Sequence, residues 1–346
     1  MSRKILLIEP NYKNKNPPMG LMKLSTYYRR RGDDVRFFKG DLKVFAAHLL
    51  CEEFLAELND PRIGKYVPNL VEYIKTGRFA PLDAIPNIRS SNSESRLKKY
   101  RLRYRDNEFP KFDIVGVTTL FTFYWHETIK TINYAKKFCS ETGRMIVGGI
   151  AATILPERII QETGIHPVSG LLNKPGMLDC DSTDIIDELP LDYSILEEID
   201  YKYPVNNAYF AYMTRGCPRK CVFCAVPRLE PEYRGYVGLK DQIDRATKQF
   251  GPKKDLLLMD NNVFASKHFN KIIDKIKECG YERGATYTPE SEYDITIKNI
   301  LEGFNVRAYT KKLIQLYDRI SSKLPESEQA EFYLKREEKH LLYAEV

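Results

Sequence analysis

The chain has 346 residues, with 54 Lys and Arg against 47 Asp and Glu, a formal charge of +7. Hydrophobic residues make up 43% and charged residues 29%, which excludes a chain disordered throughout. No stretch of about 18 apolar residues is present, so no membrane span is expected. Met1-Ser2-Arg3-Lys4 runs directly into Ile5-Leu6-Leu7-Ile8, too short an apolar run for a secretion signal, and a cytoplasmic location is the expectation. The length suggests two domains, at roughly 100–200 residues each.

Lys4 to Glu9 reads as a buried strand, closed by Pro10-Asn11. Leu21, Leu24 and Tyr28 recur at helical spacing over Gly20–Arg31, with Gly32 as the stop. Val35–Phe38 is a second strand, and Leu42–Leu55 a helix with Leu42, Phe45, Leu49 and Phe54 on one side. Asp113–Thr119 and Met145–Val147 are further strands, separated by a helix over Glu127–Phe138. Strands alternating with helices predict a parallel sheet covered on both faces.

Residues 60–110 interrupt this rhythm and read as an insertion, part loop and part helix. Its basic run of Arg96, Lys98, Lys99, Arg101, Arg103 and Arg105 interleaves with Tyr100 and Tyr104. Such a run can bind RNA, but a solvated helix face is the preferred reading. Residues 161–206 hold few periodic patterns and several breakers, among them Pro167, Pro175, Gly176, Pro190 and Pro204. They read as an interdomain connection. A second rhythm follows: a strand over Ala208–Met213, a helix over Leu239–Phe250, a strand over Leu256–Met259 and a helix over Lys267–Cys279 stopped by Gly280. Beyond Tyr281 the pattern is helical, through Tyr309–Ile320 and Glu326–Ala344.

Seven cysteines are present, an odd count without a secretion signal, so a disulfide framework is not expected. Cys217, Cys221 and Cys224 stand in a C-x3-C-x2-C pattern at the end of a predicted strand. Thiolates suit zinc and iron–sulfur clusters. Three of them on one loop can hold three corners of a four-iron cubane and leave the fourth iron open. Structural zinc normally takes four protein ligands, and only a distant residue such as Cys180 could complete the set. Gly216 and Pro218 curl the loop, and Arg219 and Lys220 bring positive charge to it. Cys51, Cys139 and Cys279 read as small buried hydrophobes.

With Phe223 directly before its last cysteine, this loop resembles the signature of radical S-adenosylmethionine (SAM) enzymes. The resemblance implies a [4Fe–4S] cluster on Cys217, Cys221 and Cys224. SAM would chelate the fourth iron and be cleaved to a 5′-deoxyadenosyl radical that abstracts hydrogen from a substrate. An electron donor such as flavodoxin or ferredoxin is implied as a partner. Pro17-Pro18-Met19-Gly20-Leu21 and Val147-Gly148-Gly149-Ile150-Ala151-Ala152 resemble loops of the subgroup with an N-terminal cobalamin-binding-type domain. The D-x-H-x-x-G signature of cobalamin ligation is absent, and His48 sits on an apolar helix, so cobalamin is left open without support from the sequence. Gly148-Gly149 alone fits either an anion cradle or a plain tight turn.

Asp260-Asn261-Asn262 follows the second strand of the second rhythm. By the resemblance, Phe223, Asp260 and Asn262 are cofactor-binding, the last two toward the SAM amino group. A helix N-cap before Ser266 is the alternative for the Asp-Asn pair. Tyr233, Arg234 and Tyr236 are candidates to line the cleft. The expected architecture is α/β: a Rossmann-like domain over 1–165, a linker over 166–206, and a partial radical SAM barrel over 207–346. The segment after Cys224 is shorter than the roughly 180 residues that six βα units take, so the barrel is expected to be truncated or remodelled. The competing functional expectation is a non-catalytic metal-binding protein that uses the cysteine loop for structure and the basic insertion for RNA.

Overall fold

The computed structural model describes residues 2–86, 88, 91–325 and 328–329. β1 (Lys4–Glu9) has five of six residues buried, the apolar run of a strand covered on both faces. α1 (Met19–Arg30) ends at Gly32, whose φ of 80° lets the chain reverse into β2 (Asp34–Lys39). α2 (Leu42–Leu58) starts where the Asp41 carboxylate accepts a bond from Lys43 N at 2.9 Å. α3 (Val67–Thr76) and α4 (Ser91–Arg105) form the insertion. β3 (Phe112–Thr119), α5 (Trp125–Ala135) and β4 (Cys139–Gly149) follow, then two short helices absent from the sequence reading, α6 (Ile150–Ile154) and α7 (Pro156–Thr163). The four strands form one parallel sheet in the order β2-β1-β3-β4, with Ile5 opposite both Val35 and Ile114.

Alternate side chains feed two cores. Leu6, Ile8, Val115, Val117 and Val147 pack on one face with residues of α2 through α5. The insertion is thus part of a core: Leu70, Ile74, Leu97 and Tyr100 are buried there. Some of its basic residues are engaged within the fold, while Lys98, Lys99 and Arg105 stay exposed. Arg101 donates to Ile74 O and Lys75 O at the C-terminus of α3, Arg103 pairs with Glu53 at 2.7 Å, and Lys98 with Glu94 at 2.6 Å.

Ile5, Leu7, Ile114 and Ile146 point to the other face, against α1 and the connecting segment. That segment has little regular structure, yet Leu178, Ile186, Leu191, Ile195 and Tyr203 are buried in it. The same core continues into β5 (Ala208–Ala211). Next come α8 (Val226–Leu229), α9 (Lys240–Phe250), β6 (Asp255–Leu258), α10 (Phe269–Glu278), α11 (Glu292–Leu301) and α12 (Val306–Ser321). β5 and β6 are parallel, Tyr209 opposite Leu256, with α9 between them in sequence. This is how a βα barrel would begin, and among the described residues no third strand joins the pair. The outer edge of β5 is closed by side chains: Tyr193 Oη accepts from Phe210 N at 3.1 Å, and Gln242 both accepts from Tyr212 N and donates to Tyr212 O. The expected helix over Glu326–Ala344 falls almost wholly outside the described residues. Among the described residues no helix is long and apolar enough to cross a membrane.

Two carboxylates fasten the connecting segment to the sheet. Glu198, fully buried, accepts from Arg29 and Asn305 on one oxygen and from Phe37 N on the other, tying α1, β2 and the start of α12 together. Asp179 takes Arg3 and Arg144 on Oδ1, each at 3.1 Å, and the Tyr27 hydroxyl on Oδ2 at 3.0 Å. Burial by itself pushes the Asp179 carboxyl up. The Arg3 and Tyr27 hydrogen bonds and the two guanidinium charges outweigh it and hold the group below the usual carboxylate range. A depressed folded pKa stabilises above the unfolded value, and this is lost as pH falls through the folded value. Asp179→Asn should therefore cost about 1 kcal/mol at pH 7, a low figure because solvent reaches Arg144 and screens the pair. In urea denaturation followed across pH, that gap should close on acidification below the ordinary carboxylate range. An unchanged gap at low pH would contradict the assignment.

Candidate metal centre and the cleft beside it

The cysteine loop springs from the C-terminal end of β5, where ligands bind in parallel α/β folds. Its foot is heavily ordered. Asp260, just past β6, accepts from Met213 N at 3.1 Å and from both Thr214 N and Thr214 Oγ1. Arg215 and Arg234 exchange backbone bonds at 3.0 and 2.9 Å, so the segment holding Tyr233, Arg234 and Tyr236 forms a short antiparallel bridge with the foot. Gly216 N donates to Glu230 Oε2 at 2.6 Å. Gly216 has φ 68°, and a Cβ there would meet Glu232 O at 2.5 Å, so only glycine fits.

The Arg215 side chain, 5% exposed, is the centre of this foot. It pairs with Asp187 at 3.0 Å and Glu230 at 3.3 Å, and its guanidinium lies 4.0 Å from the Tyr212 ring centroid. Its Nε is buried without a hydrogen-bond partner. Asp187 also holds Lys23 of α1 at 2.9 Å. Burial pulls the Lys23 pKa down against the opposing Asp187 charge. Lys23 and Asp187 together wall two cavities. One, of about 320 Å3, also touches Met19, Tyr212, Arg234 and Gln242. The other, of about 180 Å3, lies over Gly20, Thr118, Gly148 and Gly149. The two glycine-bearing loops singled out in the sequence thus meet at one cavity beside the cysteine loop, and α6 packs against α8 just beyond Cys224. The Gly149 backbone crosses Thr119 so closely, at φ 108°, that any Cβ would overlap Thr119 O. Close backbone approach is reason enough for that glycine.

Beyond its foot the loop is open to solvent. Cys217 and Cys224 are half-buried, Cys221 is exposed, and a turn from Cys224 N to Cys221 O at 3.0 Å is its one internal backbone bond. Arg219 and Lys220 are exposed, and Phe223 is 94% exposed, touching no other ring. Asn262 Nδ2 donates toward Cys217 Sγ at 3.6 Å. Asp260, Asn262 and Cys217 are therefore brought together, while Phe223 stands apart. Asn262 stands at the N-cap position of the one-turn 3-10 helix Val263–Ala265, but its side chain makes no capping bond, and the Asp260 carboxylate is taken by Met213 and Thr214. Among the described residues no three or more His, Cys, Asp or Glu side chains are grouped to hold a metal ion. The thiols of Cys217, Cys221 and Cys224 are thus not gathered at one point in this structure, neither for zinc nor for a cluster, and Cys180 lies exposed in the connecting segment. The donor chemistry fits an iron–sulfur cubane. Such a cluster spreads its thiolates over separate irons, and a side-chain N–H on a ligating sulfur is one of the levers that set its potential. Cys51 is packed in the core, its thiol pushed up to about 12 by burial.

The C-terminal edge of the first sheet is filled above its first two strands. Above β1 and β2, Glu9 and Lys39 form an ion pair at 3.0 Å with both side chains fully buried. Tyr203 donates to Glu9, Asn14 bonds to both charges, and Lys39 lies 4.5 Å from the Tyr201 ring centroid. Tyr201 and Tyr203 come from the connecting segment. His48 lies elsewhere, half-buried on α2, with its pKa lowered by burial.

No family model matches the sequence, and no curated protein matches it. Among solved structures, the chain is similar to a radical S-adenosylmethionine methyltransferase, TsrM, from Kitasatospora setae with cobalamin and a [4Fe-4S] cluster bound. Identity is 16% and the TM-score 0.42, over 81% of this chain and 53% of that one. A second structure of that enzyme, with tryptophan substrate and the SAM analogue aza-SAM, gives 16% and 0.42 over 80% and 51%. The chain spans about half the length of the structures it matches. Likeness at this level carries neither fold nor activity to this chain.

The foot of the loop yields two expectations. Asp187→Asn leaves Lys23 and Arg215 without their shared anion and should cost about 3 kcal/mol in chemical denaturation, as breaking a buried pair does. Asp244→Asn, which breaks the exposed Lys240–Asp244 pair on α9, should change nothing measurable. Asp260→Ala releases the backbone at Met213 and Thr214 and should speed tryptic cleavage after Arg219 and Lys220 severalfold. An unchanged cleavage rate would show that Asp260 does not order the loop.

Proposed function

We propose that this chain is a radical SAM-type protein. The observation that carries the reading is the C-x3-C-x2-C loop itself, anchored at the end of β5 by Asp260, Arg215 and Glu230 while its thiols stay accessible. In this reading residues 1–165 are the Rossmann-like domain, 166–206 the connection and 207–346 the partial barrel. Cys217, Cys221 and Cys224 would hold a [4Fe–4S] cluster. When bound, that cluster supplies the electron that cleaves SAM.

The chain's own contribution is positioning. Asp260 fixes the strand end from which Cys217 projects, and Asn262 directs an N–H at the Cys217 sulfur. Both stand where the SAM amino group would be received, Asp260 through the acceptor positions left on Oδ2. Phe223 would have to turn inward from solvent to join them. Arg219 and Lys220 favour the more negative, reduced cluster by their charge.

Anaerobic reconstitution with iron and sulfide should give a brown protein that binds four irons per chain. The triple Cys217→Ala, Cys221→Ala, Cys224→Ala variant should stay colourless. The reconstituted protein with dithionite and SAM should release 5′-deoxyadenosine. A chain that takes up zinc stoichiometrically and rejects iron would overturn the reading. A chain that holds the cluster without cleaving SAM would restrict the loop to structure.

A further inference from the structure

β6 is four residues long, and its two ends carry different chemistry. Asp260 lies beyond its C-terminal end, beside the cysteine loop. Lys253 lies before its N-terminal end, on a separate cavity of about 680 Å3 between the connecting segment, the chain around Tyr287–Ile295 and α12. The volume is in the range of small-molecule sites. The Lys253 amine has one long hydrogen bond, to Phe250 O at 3.4 Å, and lies 5.2 Å from the Tyr193 ring centroid. Among the described residues no carboxylate forms an ion pair with it. The nearby charges are matched to one another instead: Lys312 with Glu197 at 2.8 Å and Arg319 with Glu292 at 2.7 Å. Burial first, and then the Lys312 charge, pull the Lys253 amine down to about 8, while Glu197 and Glu292 oppose the change. A desolvated lysine beside a second cation is how proteins make an amine nucleophilic near neutral pH.

We propose that Lys253 is a carbonyl-reactive amine and that this cavity takes a small, uncharged aromatic aldehyde, held as an imine on Nζ. The rings of Tyr193, Tyr287 and Tyr309 line the cavity and suit a flat apolar body. Its remaining fixed charges cancel, since Lys202, Lys312 and Arg319 stand against Glu197, Glu290 and Glu292. An ionised aldehyde would find no surplus counter-charge apart from the reacting lysine. In the step itself the Nζ lone pair forms a bond to the carbonyl carbon, and the C=O π electrons move to oxygen. One N–H proton passes to that oxygen to give a carbinolamine, and the second leaves with the hydroxyl as water while the nitrogen lone pair forms the C=N bond. No oxidant or reductant is needed. The site is separate from the cysteine loop and stands whether or not a cluster binds there.

The purified chain would be treated with benzaldehyde and sodium cyanoborohydride near pH 7.5, which reduces an imine to a stable secondary amine, and mapped by peptide mass. Lys253 should be alkylated on the order of tenfold faster than the exposed Lys220 and Lys240. Lys253→Arg keeps the charge and should remove this fast site alone. Lys312→Gln removes the neighbouring cation, so Lys253 retains its proton and its labelling should slow. Labelling that follows exposure across all lysines, or a fast site that survives Lys253→Arg, would overturn the proposal, and the wild-type map decides it even if a variant folds poorly. A benzaldehyde-to-propanal rate ratio at Lys253 no greater than that at Lys220 and Lys240 would overturn its aromatic part.

Discussion

The carboxylate of Asp187 holds two cations from two parts of the fold, Lys23 on α1 and Arg215 at the foot of the cysteine loop. All three side chains are largely removed from water, where an isolated charge is costly and a matched set is tolerated. Because of this group, the first sheet and the second cannot move independently. α1 carries the loop before Gly20, Arg215 carries the cysteines, and the anion between them comes from the connecting segment. The core reinforces the same arrangement, since Ile5 and Leu7 of the first sheet share a cluster with Tyr209 and Phe210 of the second. The connecting segment therefore acts as a packed layer between two sheets, although almost nothing in it is helix or strand.

Such a layer leaves its mark at the C-terminal edge of the first sheet. Doubly wound folds bind ligands there. Here Tyr201 and Tyr203 of the connecting segment close over the Glu9–Lys39 pair, and desolvation pushes Glu9 up and Lys39 down. The remaining space lies further along the edge, over Gly148 and Gly149 and toward Asp187. A protein that fills the middle of this edge with its own side chains leaves any ligand of the first sheet to the flank nearest the cysteine loop.

The first sheet was legible from the sequence because its signals are local. The run Ile5–Ile8, the helical spacing of Leu21, Leu24 and Tyr28, and the stop at Gly32 all report on neighbours within a few residues. Short helices such as α6, α7 and α8 escaped, since a single turn or two has no periodicity to read. Of the candidate site, the cysteine spacing and the Asp260–Asn262 segment stand out in the sequence, and the structure sets Asn262 beside Cys217. The site's supporting charges do not stand out. Asp187 and Glu230 reach Arg215 across 28 and 14–15 residues of chain that show no pattern linking them, and Lys23 looked like any polar position on a helix. For the same reason the insertion's basic run read as a surface, whereas Arg101 and Arg103 are tied down by groups far away in sequence.

The side chains of Tyr193 and Gln242 on the outer rim of β5 set a direction for growth. Every strand edge with bare peptide groups is a template on which another chain can polymerise. On that side of β5 a phenol takes Phe210 N and, just past the strand's end, a carboxamide takes both peptide groups of Tyr212, so part of the rim is already occupied. An additional strand, whether from a partner molecule or from a longer relative of this chain, is steered to the flank of β6.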